Sequence, residues 1–164
     1  MKPINLPIFP LKLVVLPGTI QGLQIFEPRY LNMVKQCMSN ASNFVISYKS
    51  DRFDDFDFGI EKVGTSVKIV DFNNLPNGLL GITVKAESKV SLNNIIQLED
   101  KSYLGEVLPL TEPEVDDQSL LAKYPDLIEV LVKLKEHPEI KTLQLDIDLD
   151  SADSVSYHLG NLIP

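Results

Sequence analysis

The chain has 164 residues, 44% of them hydrophobic and 23% charged, with a formal net charge of −8. That is enough for one domain with a sizeable core, or for one core with a smaller helical appendage, and it excludes a disordered chain. The 15 Lys/Arg are scattered among 23 Asp/Glu with no run of five like charges, which argues against a nucleic-acid partner because phosphate affinity draws on clustered cations.

Cys37 is the single cysteine, so no intrachain disulfide forms and packing alone holds the fold, as suits a cytoplasmic protein. The opening Met1–Pro7 is broken by prolines and Asn5, and no window of 18 apolar residues occurs. Neither a signal peptide nor a membrane span is expected. Without export, the glycosylation sequon Asn40-Ala41-Ser42 is read as a chance match.

Short apolar or alternating runs bounded by Gly, Pro and Asn predict a mostly β first part, residues 1–110. In chain order the strands are 6–9, 22–26, 43–48, 64–72, 79–89, a weaker 94–98, and 103–108. One helix interrupts them. Pro28 suits a first helical position, and Tyr30, Leu31, Val34 and Met38 form an apolar stripe that ends at Ser39-Asn40. This helix is expected across a barrel mouth or a sheet face. Asn73-Asn74-Leu75-Pro76-Asn77-Gly78 combines a fixed φ with an Asn-Gly that tolerates positive φ, which predicts a hairpin. After it, Leu80, Ile82, Val84 and Ala86 alternate with Gly81, Thr83, Lys85 and Glu87, so one face is core and the other wet.

Beyond Leu110 the texture changes, giving a second part over 111–164. Thr111–Asp117 is acidic and holds a proline, as a linker does. Pro125–Glu136 then reads as a helix with Leu127, Ile128, Leu131, Val132 and Leu134 apolar, stopped at Pro138. A second helix is expected from about Asp150, whose carboxylate serves as cap, with Val155, Leu159 and Leu162 as its stripe. The barrel flank is the nearest surface on which to bury both stripes.

The chemistry of catalysis is missing. A P-loop needs a Lys after its second glycine, and Gly59-Ile60-Glu61-Lys62-Val63-Gly64-Thr65 has none and leads into a strand. His137, His158 and Cys37 are too dispersed for a zinc set. Asp51, Asp54, Asp55 and Asp57 invite comparison with a calcium loop, yet the glycine and glutamate places hold Phe56 and Lys62; a solvated loop is the expectation. Asp146, Asp148, Asp150 and Asp153 raise the same question, and capping accounts for the last two. Phe53, Phe56 and Phe58 either pin the first loop to the barrel or form a sticky surface. No glycine-framed nucleophile is present.

Six phrases, taken in order, carry a family resemblance: Leu6–Leu11 with Phe9-Pro10-Leu11, Ile25-Phe26-Glu27-Pro28-Arg29-Tyr30, Gly64–Ile69, Leu75-Pro76-Asn77-Gly78, Tyr103–Val107, and Tyr157–Pro164. Together they resemble the N-terminal substrate-binding domain of the Lon family of ATP-dependent proteases. The resemblance implies an α+β chain: a PUA-like β pseudobarrel of about six strands with one inserted helix, followed by a small C-terminal helical segment. It also implies a stand-alone bacterial Lon-domain protein, without ATPase or peptidase. Cereblon-like adaptors share the domain, but their zinc module needs paired cysteines.

By the same resemblance, the chain is expected to be a non-enzymatic module that binds polypeptide clients or a partner protein, with no catalytic residue, metal or cofactor. An RNA-binding PUA-like module and a small-molecule sensor are the alternatives. The candidate peptide-binding residues are Phe26, Glu27, Arg29, Tyr30, Phe72, Leu75 and Leu79. Two roles stand open for the charged pair. Arg29 and Glu27 present a guanidinium and a carboxylate to a peptide backbone, or Glu27 caps the helix while Arg29 pairs with a barrel carboxylate.

Overall fold

The structure, a computed structural model, describes residues 2–53 and 57–163. Its strands are β1 (Ile4–Leu11), β2 (Ile20–Ile25), β3 (Phe44–Lys49), β4 (Ile60–Asn74), β5 (Leu80–Gln97) and β6 (Tyr103–Pro109), in the order β2-β5-β4-β3-β1-β6. Because β6 also pairs with β5, five strands close into a ring, and β2 is attached along the first half of β5. This is the expected six-stranded sheet of an α+β chain.

β1 and β3 run parallel and are buried on both faces over Ile8–Pro10 and Phe44–Ser47. Ile8 and Val45 join Ile60, Val90, Leu92, Ile95, Tyr103 and Val107 inside the ring. Phe9, Phe44 and Ile46, one residue out of phase, face a second layer beneath helix α1 (Pro28–Asn40). Strand period two thus feeds two cores from one segment. Prolines in a central strand normally break the ladder. Here pairing is staggered: β6 faces residues 4–8 and β3 faces 8–11. One edge of β1 is therefore open at Pro7 and the other at Pro10.

α1 begins at Pro28 as predicted, but its buried face is Tyr30, Met33, Val34 and Cys37. Met38 is exposed and Leu31 only half-buried. The stripe is turned relative to the expectation because the sheet, not the hydropathy pattern, selects which of several apolar residues face inward. The helix ends on Ala41 in the left-handed region, φ 49°, with its N–H on the last turn's carbonyls.

The hairpin forms where Pro76 and Asn77-Gly78 place it. Gly78, at φ 79°, donates to the Leu75 carbonyl at 2.9 Å, and Leu75 N donates to the Leu79 carbonyl at 2.8 Å. The alternation after it holds where Ile82, Val84 and Ala86 are buried and Lys85 and Glu87 exposed, but Leu80 is only half-buried and Gly81, expected on the wet face, is buried because the Leu75 side chain lies over it. However, the predicted strands 79–89 and 94–98 are one continuous strand. Asn94 adopts φ 47° at a register shift, which moves inward-facing positions from Val90 and Leu92 to Ile95.

The C-terminal part contains α2 (Asp117–Ala122), α3 (Pro125–Glu136), the short α4 (Pro138–Lys141) and α5 (Ala152–Leu162). α3 has the predicted bounds; α2 arises immediately after the linker-like stretch. The cap of α5 is Ser151, whose hydroxyl accepts from Ser154 N at 3.2 Å, while Asp150 lies in the turn before it. The apolar stripes do not rest on the barrel flank alone. Leu131, Ile147, Val155 and Leu159 form a core of their own, since short helices bury most area against one another. Leu127 and Val132, expected in the stripe of α3, are exposed. Among the described residues no helix is long and apolar enough to cross a membrane.

Candidate functional site

The ends of β1 and β2, the start of α1 and Lys49 at the end of β3 enclose a cavity of about 210 Å³. It is lined by Phe9, Pro10, Leu11, Gln24, Ile25, Phe26, Glu27, Arg29, Tyr30 and Lys49. Its wall is built by stacking: the Phe9 and Tyr30 rings lie 4.3 Å apart at 44°, a tilted aromatic pair. A space of this size admits a side chain or two, below the volume usual for cofactor sites.

Arg29 is the best-held charge in the cavity. Its Nε donates to Glu27 Oε2 at 2.8 Å and its Nη1 to the Lys101 carbonyl at 2.7 Å. The guanidinium lies 4.7 Å from the Tyr30 ring centroid and 5.9 Å from that of Tyr103, within cation–π reach of both. Burial works to lower its pKa, but the Glu27 hydrogen bond and the charges of Tyr30, Glu27 and Tyr103 together raise it. Two of its five N–H donors are used in these bonds. The others have no protein partner among the described residues, so a fixed fork remains available to a carbonyl or carboxylate.

This geometry corrects the expected division of labour between Glu27 and Arg29. Glu27 occupies the N-cap position without a side-chain cap bond; its carbonyl accepts from Tyr30 N and Leu31 N, both at 3.0 Å. Its carboxylate is turned to Arg29 instead. Among the described residues Arg29 forms no ion pair with a barrel carboxylate, its second anchor being a backbone oxygen, although Asp100 is held below the usual carboxylate range by its Ser102 hydrogen bonds and, secondarily, by the Arg29 charge.

Phe26, Glu27, Arg29 and Tyr30 therefore meet at one cavity, Phe26 with 64% of its surface exposed. Phe72, 57% exposed, lines a different groove of about 310 Å³ with Met38, Lys68 and Asp71. Leu75 and Leu79, half-buried, sit in the hairpin turn and line neither. Leu75 packs on the Gly81 backbone: a Cβ there would lie 3.1 Å from Leu75 Cδ2. Phe9, Pro10, Leu11, Gln24, Ile25 and Lys49 are cavity residues that sequence reasoning missed. Phe9-Pro10-Leu11 belongs to the opening family phrase, a signal that could have found it, whereas Lys49 has no local signal.

The acidic loop divides. Asp51 pairs with Lys12 and Asp57 with Lys62; Asp54, Asp55 and Phe56 lie outside the described residues. Phe58 packs on Tyr103 with centroids 5.3 Å apart, which pins that end of the loop to the barrel. Among the described residues no group of three or more His, Cys, Asp or Glu is arranged to hold a metal. His158 is buried in α5, its Nδ1 2.7 Å from the Ser154 carbonyl.

Residues 5–164 match the sequence profile described as the ATP-dependent protease La (LON) substrate-binding domain. The chain belongs to the Lon substrate-binding domain family. It is 29% identical to Lon protease 1 of Thermus thermophilus over 155 residues, 87% of this chain and 18% of that protein. Against the Lon protease of Fusobacterium nucleatum, identity is 24% over 122 residues, 72% and 16% of the two lengths. This Lon-family chain thus spans under a fifth of either protease. Among solved structures, a Lon N-terminal domain protein from Xanthomonas campestris superposes with a TM-score of 0.73 at 27% identity, covering 98% of this chain and 83% of that one. The N-terminal domain of the Mycobacterium avium complex Lon protease gives 0.65 at 17% identity, covering 98% and 96%, a likeness of fold.

Proposed function

We propose that this Lon-family chain is a polypeptide-recognition module that binds clients without chemistry of its own. A client side chain enters the cavity beside Phe9 and Tyr30, and the spare donors of Arg29 take a backbone carbonyl or a carboxylate of the client. The observation that carries the reading is Arg29, anchored by Glu27 and Lys101 at the wall of an aromatic cavity with donors to spare. Kinship to a substrate-binding domain of proteases supports a polypeptide as the ligand. A cavity large enough for a side chain, with a few oriented polar groups, suits weak contact with many unfolded segments.

The test is binding of a fluorescein-labelled, permanently unfolded polypeptide, measured by anisotropy. Arg29→Ala is expected to weaken binding about tenfold, the worth of a charged hydrogen bond. Arg29→Lys should restore little of it, because an ammonium cannot reproduce the fork. If Arg29→Ala lowers the melting temperature while its folded fraction binds the client as before, the residue is structural and the reading fails.

A further inference from the structure

A second surface lies in the C-terminal part. α2, α3 and α5 leave a trough of about 210 Å³ between them, lined by Leu120, Leu121, Tyr124, Leu127, Val155 and Leu159 among others. Apart from Ser156 and the Tyr124 hydroxyl, its lining is hydrocarbon. Tyr124, at the N-cap of α3, and Leu127 form its rim and are 52% and 46% exposed, which makes the apolar surface of the trough continuous out to solvent.

One end of the trough is acidic. Asp117 Oδ1 accepts from Ala152 N at 2.8 Å, which brings the first turns of α2 and α5 together. Asp116 caps α2, and Asp153 lies in the first turn of α5. Asp148 N donates to Ser154 Oγ at 2.9 Å, and Asp148 Oδ1 accepts from Asp150 N at 3.0 Å. Among the described residues, none of these five aspartates forms an ion pair, and they do not converge on a metal. The asymmetry extends to the whole chain. Residues 1–110 hold 11 Lys/Arg and 11 Asp/Glu, whereas 111–164 hold 4 and 12, so the entire charge of −8 belongs to the helical part.

That charge decides the occupant. A second copy of the chain would bring two helical parts together, each carrying a charge of −8, a like-charge contact that disfavours association. Hydrocarbon beside unpaired carboxylates is the complement of an apolar stripe flanked by Lys or Arg. We propose that the trough docks a basic amphipathic helix of another polypeptide, its apolar stripe on Tyr124, Leu127 and Leu159 and its cations on the five aspartates. This surface is separate from the Arg29 cavity.

The probe is a labelled amphipathic helix of about 18 residues, long enough to be stable on docking, built from Leu and Lys, with a Leu/Glu counterpart. Anisotropy should show saturable one-to-one binding of the Lys peptide and none of the Glu peptide. Leu127→Glu should weaken it about tenfold, since a carboxylate then enters the hydrocarbon contact. Asp150→Asn with Asp153→Asn should flatten the dependence on salt. If Leu127→Glu does not fold, Tyr124→Ser, at the more exposed position, carries the same expectation. Undiminished binding by the folded rim variant, equal binding of the Glu peptide, or an unchanged salt slope overturns the proposal. So does sedimentation showing a dimer that Leu127→Glu dissolves, which would assign the trough to a second copy.

Discussion

Tyr30 joins the core to the cavity. Its ring packs on Phe9 and lies beneath the Arg29 guanidinium, and the residue is buried. Burial pushes its phenol up to about 12; the Arg29 charge pulls the other way, and Glu27 and Tyr103 add to the rise. An unfolded tyrosine titrates near pH 10. Between those values the folded state keeps a proton that the unfolded state has lost, so stability is fully present below about pH 10 and is lost as pH rises toward 12. Urea midpoints measured from pH 9 to 11.5 should fall more steeply for the parent than for Tyr30→Phe, which keeps the ring and lacks the ionisable group. Parallel slopes would show that the phenol sheds its proton as easily folded as unfolded. The same burial acts on Cys37, whose thiol is pushed upward and packed beneath α1; a thiol so placed is a core side chain rather than a nucleophile.

At the scale of elements, Asn94 governs how β5 serves two partners. Ile82, Val84, Ala86, Val90 and Leu92 face inward at even-numbered positions, and Asn94 at φ 47° hands that role to Ile95, so that the strand can pair with β6 and close the ring. Its Nδ2 donates to Glu106 Oε2 at 2.9 Å, fixing the bulge across the pair. Asn94→Val should cost about 1–3 kcal/mol, the penalty of a branched side chain in the left-handed region. Asn94→Gly should cost about 1 kcal/mol or less, because only the side-chain hydrogen bond is lost. Urea midpoints of the two variants decide between this bulge and an ordinary strand, where the order would reverse. The same residues show which features are legible in sequence. Alternation over Ile82–Glu87 and the Pro76/Gly78 turn are local, and they read correctly, whereas Gly81 is covered by Leu75 from the turn itself. The gap between the predicted strands 79–89 and 94–98 does not exist in the fold, because the left-handed turn at Asn94 that carries β5 through is set by ring closure, which no window of sequence contains. α2 is not legible, since six residues hold too little periodicity to set against an acidic, proline-bearing approach. The cavity is half legible for the same reason: Phe26 to Tyr30 are contiguous, while Phe9 and Lys49 arrive through strand ends that only the fold brings near. Phe72, Leu75 and Leu79 group with them by composition, and the hairpin places them elsewhere.

Across the whole molecule the strands and the C-terminal helices bury cores of unequal size. Among the described residues, thirteen buried ones form the layer that α1 makes with the sheet and eight fill the ring, against four in the helical core. The seam between the parts uses few groups. Glu112 bonds Lys89 of β5 and the Tyr157 hydroxyl of α5, and the Lys89 ammonium lies 5.1 Å from the Tyr157 ring. His158 faces Gly18, and a Cβ at Gly160 would lie 3.0 Å from Leu16 Cδ1. A part with a small core and a thin seam opens at lower free energy than the rest. The net charge adds to this, because all of −8 repels within the helical part and salt screens that repulsion. Hydrogen exchange read by mass spectrometry should therefore show α2, α3 and α5 exchanging before β4 and β5, and moderate salt should slow the helices more than the strands. Equal protection across both parts, with equal response to salt, would mean that the seam couples them into one cooperative unit. The helical trough would then be as rigid as the Arg29 cavity rather than adaptable to its partner.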